Sequence, residues 1–188
     1  MSRAEIVLLT QNKHKLVEIT PLFKEYGVPF ETSSLEKSEV RSDDVEVVAR
    51  SAAVGAYQVV RRPVVTDDTG LYIDALNGFP RAYPAFVLNT IGKAGVLKLM
   101  DGVQDRKAKF VTAVAYCDES TTTTFVGEML GRIATAEAGS GGFGYDPIFI
   151  PEGHSKTYAQ LTLEEKVAIS HRSRAFRLFL QWYSKEHA

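Results

Sequence analysis

Two alternating runs, "KFVTAVAYC" and "TTTTFVGEMLGRIA", stand on either side of the polar tetrapeptide "DEST". A period of two puts every second side chain on one face of a strand, and a short polar link between two such runs closes an antiparallel hairpin. That hairpin constrains the fold most, because the segments around it carry a different period. "EIVLL" is a short apolar run, and behind it Leu16, Ile19, Phe23 and Tyr26 recur at helical spacing until Gly27 ends the pattern. Pro21 should bend that helix or break it. "DDVEVVARSAAVGAYQVV" repeats the helical pattern through Val48, Ala52, Ala56 and Val59, with Asp43 and Glu46 spaced as a capping box. "PVVTDD" reads as a buried strand running into acids, and "TLEEKVAI" opens a helix with Thr162 and Glu165 as a second capping box. Strands interleaved with helices, plus a hairpin, predict an α/β fold with a mixed sheet.

Size and charge narrow the function classes. A chain of 188 residues with 45% hydrophobic content predicts a single domain over residues 1–188, or two lobes sharing a core. The formal net charge of -1 argues against a protein that coats a nucleic-acid backbone, since that affinity comes from many neutralising Lys and Arg. The lone cysteine, Cys117, excludes an intrachain disulfide, and its strand-like setting reads as a buried structural thiol. "IVLL" is too short to span a bilayer, so the expected location is the cytoplasm, with no membrane partner.

Candidate chemistry concentrates where strands end. In open α/β sheets ligands gather at the carboxyl ends of strands, where "TQNKHK" and "DDTG" fall in this chain. Thr10, Asn12 and Lys15 supply hydroxyl, amide and amine groups suited to phosphate oxygens near a helix N-terminus, although the loop lacks the glycines of a Walker motif. Taken alone, this loop also reads as a solvated cap. Asp67 and Asp68 are adjacent carboxylates that need a partner to tolerate each other, and Mg²⁺ is a natural one; the alternative is a turn completed by Thr69 and Gly70. Strand alternation allows only one of the two acids into a given site.

Two further segments carry candidate ligand groups. His14, His154 and His187 lack partners at zinc-like spacing. His171 sits beside Arg172 and five residues after Lys166; on an unbroken helix these groups diverge, but a break capped by Ser170 or Ser173 brings them together. "GGFGYDPIF" starts like the strand signature of RNA-recognition domains, but Gly141, Asp146 and Pro147 depart from it. Phe143 or Tyr145 therefore stacks on a base from a loop beside an acid, which suits one nucleotide better than a strand of RNA.

In order, T-x-N-x-x-K, D-T-G-L, G-G-F-G-Y-D-P-I-F and E-E-K-x-A-I-S-H-R make the chain resemble the inosine triphosphate pyrophosphatases, the non-canonical purine NTP pyrophosphatases, from about Ile6 to Trp182. "GFPRAYPAF" and "DRKAKF" look most like the archaeal-type branch. The resemblance implies a long central mixed sheet flanked by helices, two lobes with a cleft between them, and a homodimer. It also implies Mg²⁺-dependent hydrolysis of ITP, dITP or XTP to the monophosphate and pyrophosphate, cleaning the nucleotide pool of deaminated purines. By position, Thr10, Gln11, Asn12, Lys13, His14 and Lys15 would hold phosphates, with Thr69 keeping a hydroxyl nearby. Glu39 and Asp68 would face the metal, and Asp68 would act as general base. Phe143, Gly144, Tyr145, Asp146, Lys166, His171 and Arg172 would form the nucleoside pocket. The chain departs from the family pattern at Arg50, near a usual lysine, and at Arg81 and Pro84, which replace a glycine and a serine. The remaining alternatives are another NTP specificity on the same scaffold and a catalytically silent nucleotide- or RNA-binding protein.

Overall fold

The computed structural model describes residues 6–36 and 40–187. In chain order the elements are β1 (Ile6–Leu9), α1 (Lys13–Glu25), β2 (Phe30–Ser33), α2 (Val45–Val60), β3 (Val64–Ile73), β4 (Pro80–Arg81), α3 (Pro84–Thr90), α4 (Gly92–Leu99), β5 (Lys107–Cys117), β6 (Thr122–Ile133), β7 (Phe149–Pro151), α5 (Leu163–Ile169) and α6 (His171–Glu186). The strands form one seven-stranded sheet in the order β2-β1-β3-β5-β6-β7, with β4 added to β3. β1 lies parallel to β2 and β3, and the other pairings are antiparallel, which makes the sheet mixed as the two sequence periods require.

The hairpin is the centre of this sheet. β5 and β6 stay in register from Lys107 opposite Arg132 to Cys117 opposite Thr122. Asp118 closes the turn, its Oδ1 accepting from the backbone N–H of Ser120 and Thr121. On one face, Leu8, Val65, Val114 and Tyr116 meet Phe23 of α1 and Phe176 and Phe179 of α6. Further along the same face, Leu71, Ile73, Phe110 and Phe149 form a second apolar cluster with Tyr158. The opposite face packs Val64, Ala113, Ala115 and Cys117 against the small side chains Ala49, Ala53 and Ala56 of α2. Burying a large apolar side chain in such layers contributes about 1.5–3 kcal/mol.

β3 is the element that positions the site. β1 pairs with it as far as Val65, and β4 pairs with it from Leu71 onward. Among the described residues, Thr66 to Gly70 therefore pair on the β5 side only, and the sheet is open along that stretch. Gly70 ends the opening because a Cβ there would come within 2.8 Å of the Arg81 carbonyl oxygen on β4.

Several expectations are corrected here. "DDTG" is neither a turn nor the end of a strand: β3 continues to Ile73 because β5 pairs with it throughout. α1 runs through Pro21 to Glu25 rather than breaking. Pro21 and Val17 are exposed, so water can serve the carbonyl that loses its donor, while buried Ile19, Leu22 and Phe23 hold the helix on the core. The N-cap of α2 is Asp44, which accepts from the Glu46 N–H, and Asp43 instead pairs with Arg81 at 2.7 Å. Thr162 and Glu165 do form the second capping box.

Candidate active site

The N-terminus of α1 meets the open stretch of β3. Asn12 caps the helix, its Oδ1 accepting from the backbone N–H of His14 at 3.0 Å and Lys15 at 3.2 Å. Thr10 Oγ1 accepts from the Asn12 N–H at 3.2 Å, which shapes the loop between β1 and α1. Lys15 reaches from the first turn to β3, where its Nζ lies 2.7 Å from Asp67 Oδ2. A helix N-terminus with a lysine beside it favours anions.

From Asp67 a row of alternating charges crosses the site. Arg172 Nε lies 3.7 Å from Asp67 Oδ2, and Arg172 Nη1 donates to Glu18 Oε2 at 2.5 Å. Glu18 Oε1 pairs with Lys166 Nζ at 2.5 Å, and the same ammonium donates to Asp146 Oδ2 at 2.6 Å. Six charges thus alternate from Lys15 to Asp146, so each buried ion has an opposite neighbour, the condition under which buried charge is tolerated. Burial alone would raise the Glu18 carboxyl, but Arg172 and Lys166 outweigh it and hold it below the usual range. At Asp146 burial wins over Lys166 and the carboxyl stays above its usual range. For Arg172, burial is outweighed by Glu18 and Asp67, which keep the guanidinium firmly charged.

The chain can present Lys166, His171 and Arg172 together because its helix breaks. Ser170 is extended, at φ -66° and ψ 152°, so α5 ends on it and α6 starts from it, with Ser170 Oγ accepting from the Ser173 N–H at 3.1 Å. All three side chains are buried, which excludes a solvated basic face. His171 Nδ1 lies 2.7 Å from Thr112 Oγ1, and the ring stacks on Phe110 with centroids 4.7 Å apart. Burial, then Arg172 and Lys166, hold its pKa well below the ordinary histidine value, so the imidazole is neutral at physiological pH.

"GGFGYDPIF" forms a loop closed by a 3₁₀ turn, not a central strand. Its Gly142 sits at φ +68°, and any Cβ there would strike the Asp146 carboxylate. Asp146 Oδ2 accepts from the Phe143 N–H at 2.7 Å as well as from Lys166, so this oxygen is engaged within the chain rather than left for a base. The Phe143 ring lies 5.1 Å from that of His14, nearly parallel at 14°, with Lys166 Nζ 5.0 Å from its centroid. Tyr145 donates to the Pro84 carbonyl at 2.8 Å, and burial pushes its phenol up to about 12.

These parts enclose a cavity of about 520 Å³, within the ~300–1,000 Å³ usual for small-molecule sites. Its lining comes from three parts of the chain: Thr10, Gln11, Asn12 and Lys15 around the start of α1, Asp67, Asp68 and Thr69 on β3, and Phe143, Gly144, Tyr145, Asp146, Lys166, His171 and Arg172 from the aromatic loop and the α5–α6 break. Lys13 and His14 do not border it, although His14 reaches Phe143. Arg50 is exposed on α2 and does not border it either. Glu39 lies outside the described residues; Glu36, three positions earlier, does reach the cavity. The expectation that only one of the paired acids enters the site is corrected. Alternation holds, with Asp67 on the α6 face and Asp68 on the α2 face, but the cavity opens around the unpaired edge of β3 and takes in both. Glu18 and Thr112 escaped the sequence reading. Each had a signal: Glu18 lies one turn before Leu22 on the buried arc of α1, and Thr112 interrupts an apolar strand face.

Among the described residues no three His, Cys, Asp or Glu side chains gather as a ready-made metal cluster. Mg²⁺ does not need one, since it binds through one or two carboxylates and takes its other ligands from water and substrate phosphates. Partly buried Asp68, which borders the same cavity as Lys15, fits that sparse donor set.

An open-edged mixed sheet with a highly charged cavity, running from a helix N-terminus to an aromatic loop, defines an α/β protein built around a small-molecule cleft. The chain belongs to the Ham1 family, whose model matches residues 6–182. It is 47% identical over 182 residues to the dITP/XTP pyrophosphatase of Pyrobaculum aerophilum, covering 97% of each chain. It is 45% identical over 178 residues to the dITP/XTP pyrophosphatase of Saccharolobus solfataricus, covering 95% of this chain and 93% of the relative. Among solved structures it resembles a HAM1 protein from Coxiella burnetii, with a TM-score of 0.87 and 30% identity over 97% of this chain and 99% of that one.

Proposed function

We propose that this chain hydrolyses non-canonical purine nucleoside triphosphates, dITP, XTP and ITP, to the monophosphate and pyrophosphate. The observation that carries the reading is the single cavity in which Lys15, Asp68, Lys166, His171 and Arg172 meet although they come from separate elements. The curated relatives named as dITP/XTP pyrophosphatases supply the substrate class.

In this reading the triphosphate lies along Thr10 to Lys15 and the purine lies against Phe143, Tyr145, Lys166, His171 and Arg172. Lys15 and the N–H groups of the α1 N-terminus neutralise charge as pyrophosphate leaves. Asp67 holds Lys15 in place at 2.7 Å, and Asp68, the next residue on β3 and also bordering the cavity, takes the proton of the attacking water. General-base assistance of that kind is worth ~10²- to 10⁴-fold in rate. Asp68 and Glu39 would hold Mg²⁺, which supplies Lewis-acid neutralisation of phosphate charge when bound. Removal of deaminated purines from the nucleotide pool in the cytoplasm is the corresponding cellular role. A homodimer completes the reading. It is supported by the apolar side chains Tyr83, Phe86 and Ile91, which the segment from β4 to α4 leaves exposed.

The direct test is incubation with Mg²⁺ and a panel of ITP, dITP, XTP, ATP, GTP and pyrimidine triphosphates, with products identified chromatographically. Preferential conversion of the 6-oxo purines to monophosphates is expected. Preference for a pyrimidine, or no turnover of any triphosphate, would overturn the reading.

A further inference from the structure

One polar seam crosses the face of the sheet that packs on α6. On β5 this face reads Ala108, Phe110, Thr112, Val114 and Tyr116, all buried, with Thr112 the one hydroxyl between two apolar clusters. Thr112 lies directly across the strand pairing from Thr69, and their Oγ1 atoms are 2.7 Å apart. On its other side Thr112 Oγ1 is 2.7 Å from His171 Nδ1. Arg172 Nη2 lies 3.4 Å from Thr69 Oγ1 and completes the row.

The ends of this row set the direction of its protons. A guanidinium can only donate, so Thr69 accepts from Arg172. The positive charge turns the Thr69 proton away towards Thr112, and hydrogen bonds in a chain polarise one another in the same sense. Thr112 then gives its single proton to His171 Nδ1. A neutral imidazole carries one proton, which this arrangement places on Nε2. His171 is kept neutral by burial and by the neighbouring cations, and its ring plane is fixed by the stack on Phe110.

We propose that Thr112 is a positioning residue for base selection: its hydroxyl holds His171 as a neutral Nε2–H donor at the cavity, and so favours a purine with an acceptor at position 6. The proposal rests on the nucleotide reading of the cleft. A 6-oxo purine presents O6 and N7 as acceptors, whereas adenine presents an amino group at position 6. With the proton on Nδ1 instead, the ring would offer the cavity an acceptor and favour the amino purine. Thr112 is assigned no contact with the substrate; it acts by deciding which nitrogen of His171 carries the proton.

The test compares Thr112→Val, which keeps the shape and removes the hydroxyl, with Thr112→Ser, which keeps the hydroxyl. The ratio of kcat/KM for ITP to that for ATP should fall by ~10-fold or more in Thr112→Val and recover in Thr112→Ser. In a His171→Ala background the Thr112→Val change should no longer alter the ratio, as expected of two residues acting in series. A ratio within about twofold of wild type in Thr112→Val, or an equal loss in the His171→Ala background, would overturn the proposal. Independently of folding or activity of any variant, ¹⁵N NMR of the wild-type protein should find His171 protonated on Nε2 with Nδ1 as an acceptor. A proton on Nδ1 would overturn the proposal even if the nucleotide preference is as expected. If the wild type shows no preference for ITP, the base-selective reading fails and the NMR result alone decides the tautomer claim.

Discussion

Glu18 and Arg172 are separated by 154 positions in the chain, yet Glu18 Oε2 and Arg172 Nη1 lie 2.5 Å apart in the protein interior. This pair ties α1, whose start borders the cavity, to the break between α5 and α6, which brings Lys166, His171 and Arg172 to the same cavity. Because Glu18 also holds Lys166 at 2.5 Å, one carboxylate compensates two buried cations. Glu18→Gln keeps the volume and removes the charge. Breaking a buried pair this way costs about 3 kcal/mol or more, since two cations are left under-compensated. In a protein of this size that corresponds to a fall in Tm of roughly 6–12 °C, measurable by calorimetry. A change under roughly 2 °C would show that the row of charges is not coupled to folding.

His171 makes stability depend on pH with a defined sign. Its folded pKa lies well below the ordinary value of 6.5, so between that value and the folded pKa the unfolded chain binds a proton that the folded chain does not. Stability is then fully present above about pH 6.5 and falls as the pH drops, by up to about 1.4 kcal/mol per pH unit from this group. Asp146 works with the opposite sign, because burial raises its carboxyl above the ordinary value. Urea denaturation between pH 7 and pH 5 should show the decline, and His171→Gln should flatten it. An unchanged slope in that variant would assign the decline to other groups.

Asp68→Asn preserves shape while removing basicity and a hard metal ligand. Turnover should fall by at least ~10²-fold with the circular dichroism spectrum and Tm preserved. Near-native turnover in the purified variant would remove Asp68 from the role of base.

Base selection should depend on Arg172. ITP and XTP are expected to exceed ATP and GTP in kcat/KM by at least ~10²-fold, because a donor-lined pocket leaves buried groups unpaired against the adenine amino group. Arg172→Ala should narrow the gap between ITP and ATP, read from steady-state kinetics on both nucleotides. An unaltered gap would separate Arg172 from base recognition. Guanine shares O6 and N7 with hypoxanthine, so its rejection must come from the surroundings of position 2.

Local rules made much of the fold legible. The hairpin is written in the alternation of "KFVTAVAYC" and "TTTTFVGEMLGRIA", the Thr162 and Glu165 box marks the start of α5, and Ser170 and Ser173 mark the break that brings Lys166, His171 and Arg172 into one cavity. What depended on distant partners was not legible. β3 outruns its acids because β5 pairs with it up to Ile73, and Asp67 and Asp68 share a cavity because β1 and β4 leave a gap between Val65 and Leu71. Glu18 sits on the buried arc of α1, but its role is set only where α6 lays Arg172 against it. Asp146 reads only as an acid beside its loop's aromatics until Lys166 and the Phe143 N–H are seen to hold its Oδ2. In each case the missing term was a long-range pairing of charge or strand, which no window of local sequence contains.

The central claim is cleavage between the α and β phosphates of a 6-oxo purine nucleotide, and ³¹P NMR of the wild-type protein turning over ITP with Mg²⁺ tests it most directly. The account predicts that the triphosphate resonances give way to equal amounts of inosine monophosphate and pyrophosphate, with no diphosphate intermediate. Inosine diphosphate with orthophosphate, or an unchanged spectrum, would contradict it.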